Sequence, residues 1–177
     1  AGPATNLLLA LIFGLLAWKF PFLPRQLSGI DSFTIGLPAF ALALLPNAKR
    51  YESGFLGRAL KFVIPSGLAV ALGVIAINFV ARTEGWVPEA SQTATVLLMS
   101  VTGIWVLSTL SRPIDRVKSA IFIGMVLLGI AIFTVPLSNA YFGFHPLDAG
   151  QLIWAYGLGL VCSIAIEVVN RFARPRT

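Results

Sequence analysis

Charged side chains are scarce in this chain of 177 residues: Asp, Glu, Lys and Arg make up 11% of it, against 57% hydrophobic residues. A soluble domain carries about 25% charged residues, because its surface must face water. The 7 acids and 13 bases present here cannot cover such a surface. The composition therefore excludes a soluble globular domain and predicts an integral membrane protein.

Cysteine and histidine are also nearly absent. The one cysteine, Cys162, excludes an internal disulfide and a cysteine cluster for metal. The one histidine, His145, excludes a multi-histidine site and makes a Ser/His/Asp catalytic set implausible. No GxxxxGK[ST] sequence is present, so no nucleotide site is expected within the chain.

Long apolar runs are what the sequence has instead. A membrane helix needs about 20 largely apolar residues, and six segments qualify: 5–24, 29–45, 59–81, 92–111, 117–138 and 149–170. These runs are apolar on every face, whereas the strands of a membrane barrel alternate apolar and polar residues. The sequence thus predicts an all-α membrane protein, a single transmembrane domain of six helices spanning residues 1–177.

The net charge of +6 reflects the position of Lys and Arg relative to these segments. Cytoplasmic loops of membrane proteins carry an excess of Lys and Arg. With six crossings, ten of the bases fall on one side, and three on the other, namely Lys19, Arg25 and Arg82. The pattern predicts that both termini are cytoplasmic, and it argues for topology rather than for a nucleic-acid partner.

One acid, Asp31, falls within an apolar segment, where a charged side chain is costly unless it has a function or a partner. Asp31 begins the second segment, and Thr34 follows three residues later, on the same helical face. Pro38 lacks an amide hydrogen, so it frees carbonyls one turn earlier and breaks this helix between Gly36 and Pro38. An acid, a hydroxyl and free carbonyls form an oxygen-rich site for a hard cation, although an interfacial acid beside a simple kink remains open.

Other polar residues in the segments have more ordinary interpretations. Asn6 in the first segment is either an oxygen ligand or a packing residue that bonds another helix. Asn78 is expected near the outer end of its helix and in contact with water. Glu167 and Arg171 have the spacing of an ion pair on one helix face. Small and weakly polar side chains in the fourth segment are typical of helix packing: Ser100, Thr102, Gly103 and Ser108.

Residues 23–46, LPRQLSGIDSFTIGLPAFALALLP, resemble the loop and sixth membrane helix of P-type cation-transporting ATPases, in particular calcium pumps. The matching residues are Pro24, Gln26-Leu27, Asp31, Thr34 and Gly36-Leu37-Pro38-Ala39. NAKRYESGFLGRALKFVIPSG is similar to the family's loop into its seventh helix, and FHPLDAGQLIWAYGLGLVCSIAIEVVNRFAR to its last helix.

The resemblance implies that the six segments are helices five to ten of a ten-helix pump, with the chain starting inside the fifth. The family's DKTGT and TGE motifs and its nucleotide domain lie upstream, so the chain alone is not expected to hydrolyse ATP. ATP and Mg²⁺ are expected for the parent pump, and no cofactor for this chain. Further expected partners are the parent pump's upstream helices and cytoplasmic domains, membrane lipid and a transported cation, calcium or another divalent ion.

By the same resemblance, Asp31 and Thr34 match cation ligands of the sixth helix, and Asn6 falls where calcium pumps carry a glutamate. Ile35 replaces an aspartate, and Gly103 falls near a glutamate of the eighth helix. The expected site therefore has fewer charges, and one ion rather than two. It would lie in an integral membrane protein of a bacterial plasma membrane.

Two other functions remain open on the sequence alone. Six helices suffice for a self-contained channel or secondary transporter, which would carry a complete site within the chain. The chain could also be a structural membrane subunit without a site, in which case Asp31 would tolerate replacement.

Overall fold

A computed structural model describes residues 2–15, 55–110, 112, 115–134 and 140–173 of the chain. These residues contain five long α-helices: α1 (Gly2–Leu15), α2 (Phe55–Thr83), α3 (Pro88–Leu110), α4 (Arg116–Thr134) and α5 (Ala149–Ala173). No strand occurs in these ranges. The predicted all-α fold is confirmed.

Four of these helices are long and apolar enough to cross a membrane. Their qualifying stretches are Phe62–Thr83, Pro88–Thr109, Arg116–Phe133 and Ala149–Val169. They correspond to the third to sixth segments of the sequence. α1 overlaps the first segment, while the second segment, 29–45, and its expected break between Gly36 and Pro38 lie outside the described residues.

Local capping signals set the turn between α2 and α3. Gly85 adopts a left-handed conformation with φ of 66°, which a glycine reaches without steric cost. The N–H of Gly85 donates to the Arg82 carbonyl, and the N–H of Trp86 donates to the Ala81 carbonyl, the bond pattern of a Schellman motif. Pro88 then starts α3 at the position where its missing N–H costs nothing.

The start of α5 is fixed in the same way. The Asp148 carbonyl accepts the N–H of Leu152 at 2.9 Å, and the Gln151 side-chain oxygen accepts the N–H of Asp148 at 3.0 Å. This return bond from the third helical residue is half of a capping box, which satisfies a donor that the helix itself cannot pair.

Three helices, α2, α3 and α5, pack against one another and form the core. Its fully buried side chains include Val74 and Ile77 of α2, Leu98 of α3 and Ile166 of α5. Contacts at both ends show that α3 and α5 run in the same direction, because Thr93 meets His145 and Arg112 meets Glu167. α2 runs opposite to both.

The three core helices approach one another closely at Gly73 of α2. A Cβ atom added there would lie 2.5 Å from the Cys162 Sγ of α5 and 3.4 Å from a methyl of Leu98 of α3. The Cys162 thiol also donates to the Ala69 carbonyl at 3.4 Å. Small residues allow membrane helices to approach closely and gain dispersion contacts, so this crossing holds three helices together.

The two remaining helices attach to this core from outside. α1 packs against α2, where Leu9 is fully buried and joins the core cluster. α4 packs against α3 and contacts no other described helix. Most of its side chains are exposed, among them Ile123, Leu127 and Ile130.

The crossing at Gly73 gives a stability prediction. Gly73→Ala should destabilise the core by about 1–3 kcal/mol, since the added methyl overpacks the contact with Cys162. Adding Cys162→Ala removes the sulfur and should recover most of that loss. Thermal unfolding of the purified chain in detergent, followed by size-exclusion chromatography, measures the order of stabilities.

Gly157→Ala of α5 is the matched control, because nothing lies within 4 Å of a Cβ added at that glycine. If Gly73→Ala unfolded at the same temperature as Gly157→Ala, the close approach of α2 to α5 would be wrong.

Candidate functional site

Of the three predicted cation ligands, the structure describes the backbone of Asn6 alone. Asp31 and Thr34 lie outside the described residues. Asn6 lies within α1, where its backbone is described, and α1 packs against α2. The described helices therefore show how the first segment is held, and the liganding role of these three residues stays a prediction.

A buried polar cluster joins α2 to α3. The Asn78 amide nitrogen donates to the Thr95 hydroxyl at 3.0 Å and to the Val74 carbonyl of its own helix at 2.8 Å. The Ser91 hydroxyl donates to the Asn78 carbonyl oxygen at 3.0 Å. The Thr95 hydroxyl, in turn, donates to the Ser91 carbonyl at 2.8 Å.

The sequence-based expectation that Asn78 contacts water is wrong. Asn78 is 8% exposed, and Thr95 of the facing helix is fully buried. Because the antiparallel α3 covers this face of α2, Asn78 is enclosed despite its position only five residues before the helix end. A polar amide enclosed in this way must be paired, and both ends of the Asn78 amide are.

The small polar side chains of α3 serve packing, as their pattern predicts. The Ser100 hydroxyl donates to the Val96 carbonyl and the Thr102 hydroxyl to the Leu98 carbonyl, both at 2.9 Å within α3. Hydroxyls satisfied by their own helix can be buried against a neighbour without further partners. Ser100 and Thr102 are both buried.

A hydroxyl of α3 also fixes the segment that leads into α5. The Thr93 hydroxyl donates to the Glu89 carbonyl at 2.9 Å and accepts the backbone N–H of His145 at 2.8 Å. His145 thus has a structural backbone contact at this end of the bundle. Its side chain is exposed to the surroundings.

An ion-pair network closes the opposite end of the bundle. Two Arg112 guanidinium nitrogens donate to the two Glu167 carboxylate oxygens at 2.8 and 3.0 Å, while Arg171 Nε lies 3.6 Å from the same carboxylate. The expected Glu167–Arg171 pair is therefore present, but Arg112 makes the shorter, two-pronged contact. The fork of an arginine matches a carboxylate in this way, so the pair fixes the end of α3 against α5.

Within the described residues, no group of three or more His, Cys, Asp and Glu side chains comes together in a way that could hold a metal ion. The polar groups that this part of the chain brings together are used for helix contacts. The cation ligands that the sequence predicts are Asn6 in α1 and Asp31 and Thr34 in the segment 29–45, which lies outside the described residues.

Comparison with known proteins identifies the family. A family model described as cation transporting ATPase, C-terminus, matches residues 19–172. This chain belongs to that family. The match covers most of the chain, including α2, α3 and α4, most of α5, and the predicted second segment with Asp31 and Thr34.

Curated relatives carry names consistent with this family. The chain is 33% identical over 164 residues to the calcium-transporting ATPase CtpE of Mycolicibacterium smegmatis, covering 90% of this chain and 21% of the relative. It is 30% identical over 155 residues to CtpE of Mycobacterium bovis, covering 85% and 19%. A probable cation-transporting ATPase, exp7 of Streptococcus pneumoniae, is 36% identical over 67 residues, covering 38% and 9%. The chain spans about a fifth of the length of the two CtpE proteins.

The Asn78 cluster predicts a measurable coupling between helices of this ATPase C-terminal module. Asn78→Ala and Ser91→Ala should each destabilise it, and the double variant should lose less than the sum. The expected coupling is about 0.6–1.7 kcal/mol, the range of hydrogen bonds between membrane helices. Unfolding in mixed micelles under increasing denaturing detergent measures the four free energies.

Thr83→Ala provides the control. The Thr83 hydroxyl is exposed and donates to Val80 of its own helix at 2.9 Å, so its loss should cost little and should not couple to Asn78. Additive effects of Asn78→Ala and Ser91→Ala would show that the two side chains do not interact.

Proposed function

We propose that this chain works as the C-terminal membrane module of an ATP-driven cation pump and supplies part of the cation site. The observation that carries the proposal is the family match over residues 19–172. It is supported by four apolar helices of membrane-spanning length and by relatives named as calcium-transporting ATPases. ATP and Mg²⁺ would act in parts of the pump outside this chain.

The proposed ligands are Asp31, Thr34 and Asn6. A carboxylate at membrane depth is costly unless it meets a cation or another partner, and its oxygens suit a hard divalent ion. Thr34 and the carbonyls that Pro38 frees would supply neutral oxygens. Asn6 would add an amide oxygen from α1, which Leu9 and α2 hold against the core.

We propose a divalent cation as cargo, with calcium favoured by the names of the relatives. Ile35 and Gly103 stand at positions where the resemblance would place further carboxylates. A site with Asp31 as its one acid has little charge to offset two divalent ions. We therefore infer one ion per cycle.

The proposed orientation places both ends of the chain in the cytoplasm of a bacterium. At one end of the bundle, the ends of α3 and α5 meet through Arg112 and Glu167, close along the chain to the basic start of α4 with Arg116 and Lys118. Acidic side chains lie at the other end, namely Glu84, Glu89 and Asp148. The excess of Lys and Arg supports a cytoplasmic position for the first end.

Replacing the proposed acid tests this function. In the complete pump, Asp31→Asn should abolish cation-stimulated ATP hydrolysis, because a neutral amide of the same size loses the charge that holds the cation. The measurement is the rate of ATP hydrolysis against calcium concentration in purified pump of unchanged size-exclusion profile. Asp115→Asn is the control, since Asp115 is an exposed residue before α4 and Asn caps a helix equally well.

Cation-stimulated hydrolysis that persists in Asp31→Asn at the level of Asp115→Asn would remove Asp31 from the site. Transport of cations by the 177-residue chain alone in liposomes, without ATP, would instead favour a self-contained channel or secondary transporter.

A further inference from the structure

The space between α3 and α4 is only partly filled. α4 contacts α3 but no other described helix, and a cavity of about 590 Å³ opens between α3, α4 and the start of α5. Its walls are largely apolar and include Leu97 and Trp105 of α3 with Val126 and Ile130 of α4. A gap of this size between packed helices forfeits dispersion contacts unless something occupies it.

This apolar cavity lies at the depth of the bilayer. Its walls come from the membrane-spanning stretches Pro88–Thr109 and Arg116–Phe133, and Val126 and Ile130 are 44% and 52% exposed. The hydroxyls of Thr93 and Ser100, which line the cavity, already donate to carbonyls of α3, so its mainly apolar walls offer few partners to water. A lipid acyl chain has the chemistry and the access to fill it.

A second, polar cavity of about 530 Å³ adjoins the apolar one, and His145 and Pro146 line both. Glu84 and Asp148 bring two carboxylates to its wall, and Trp86 and Trp154 bring two indole rings. Carboxylates and aromatic faces both attract an ammonium group, and tryptophan favours the depth of lipid headgroups.

We propose that the two cavities together bind one phospholipid whose headgroup carries a primary ammonium, as in phosphatidylethanolamine. One acyl chain lies between α3 and α4, and the ammonium lies between Glu84 and Asp148 in the polar cavity. The backbone N–H of His145 is taken by Thr93, so the His145 imidazole and the Gln151 side-chain amide, which also line this cavity, are the N–H donors that face the lipid phosphate. The lipid joins α4 to the core and does not depend on the pumped cation.

The test uses the full chain in liposomes with two photoactivatable probes, a phosphatidylethanolamine and a phosphatidylglycerol that carry the same diazirine-labelled acyl chain. Ultraviolet crosslinking and peptide mass spectrometry should place the ethanolamine probe on α3 and α4, several-fold above the glycerol probe. Val126→Trp fills the apolar cavity and should reduce this labelling several-fold. Leu127→Trp, on the next residue of α4 and outside the cavity, should leave it unchanged.

A variant in the polar cavity tests the contact with the ammonium headgroup separately from the contact with the acyl chain. Glu84→Gln should reduce labelling by the ethanolamine probe by a factor of about 2–5, as expected for an exposed ion pair, and should leave the glycerol probe unaffected. Glu89→Gln, an exposed acid that does not line the cavity, is its control. Equal labelling of Val126→Trp and Leu127→Trp, or equal labelling by the two probes, would overturn the proposal.

Discussion

Helices in a bilayer gain little from hydrophobic association, because lipid is as apolar as their side chains. What holds this bundle together is therefore close contact, and one such contact is at Gly73, where α2 meets Cys162 of α5 and Leu98 of α3. The absence of a side chain at Gly73 lets three helices share one crossing point.

Two polar contacts lock the same three helices at opposite ends. Asn78 ties α2 to α3 through Thr95 and Ser91, and Arg112 ties the end of α3 to Glu167 of α5. Apolar packing alone does not fix how two helices are aligned. These polar pairs do, since a misaligned helix would leave an amide or a carboxylate unpaired in lipid. The three-helix core is consequently fixed both in depth and in rotation.

This rigid core suits the proposed role in ion transport. α1, with Asn6, packs against α2 and so has a fixed wall behind it, while the proposed ligands Asp31 and Thr34 follow in the next segment. A cation site requires ligands held to within fractions of an ångström, which a firmly packed scaffold provides. α4 is different, because it contacts one described helix and leaves a cavity that suits a lipid.

Much of the fold follows from the sequence, because composition and apolar run length determine how a chain meets a bilayer. The all-α membrane fold was readable from the long apolar runs, and the sixth of them, 149–170, overlaps α5. The enclosure of Asn78 was not readable, since depth judged along one helix does not reveal what another helix covers. The Arg112 contact was missed for the same reason, because Glu167 lies 55 residues away along the chain.

For the candidate site, the sequence predicts which residues take part but not how they are arranged in space. Spacing ahead of Pro38 singles out Asp31 and Thr34 but leaves an interfacial acid near a simple kink open, and the resemblance to P-type ATPases is what marks them as cation ligands. Their distances to Asn6 and to one another do not follow from the sequence, since such distances depend on how helices pack in three dimensions. The inferred number of ions rests on the family resemblance, in which Ile35 replaces an aspartate and Gly103 falls near a glutamate.

The most direct test of the account is a transport measurement on the complete pump in sealed vesicles. Radioactive calcium uptake and ATP hydrolysis should be recorded together in the same preparation. Uptake should require ATP and Mg²⁺, with about one calcium ion moved for each ATP hydrolysed, because the proposed site has a single carboxylate. Calcium uptake that proceeds equally without ATP would contradict the proposed function.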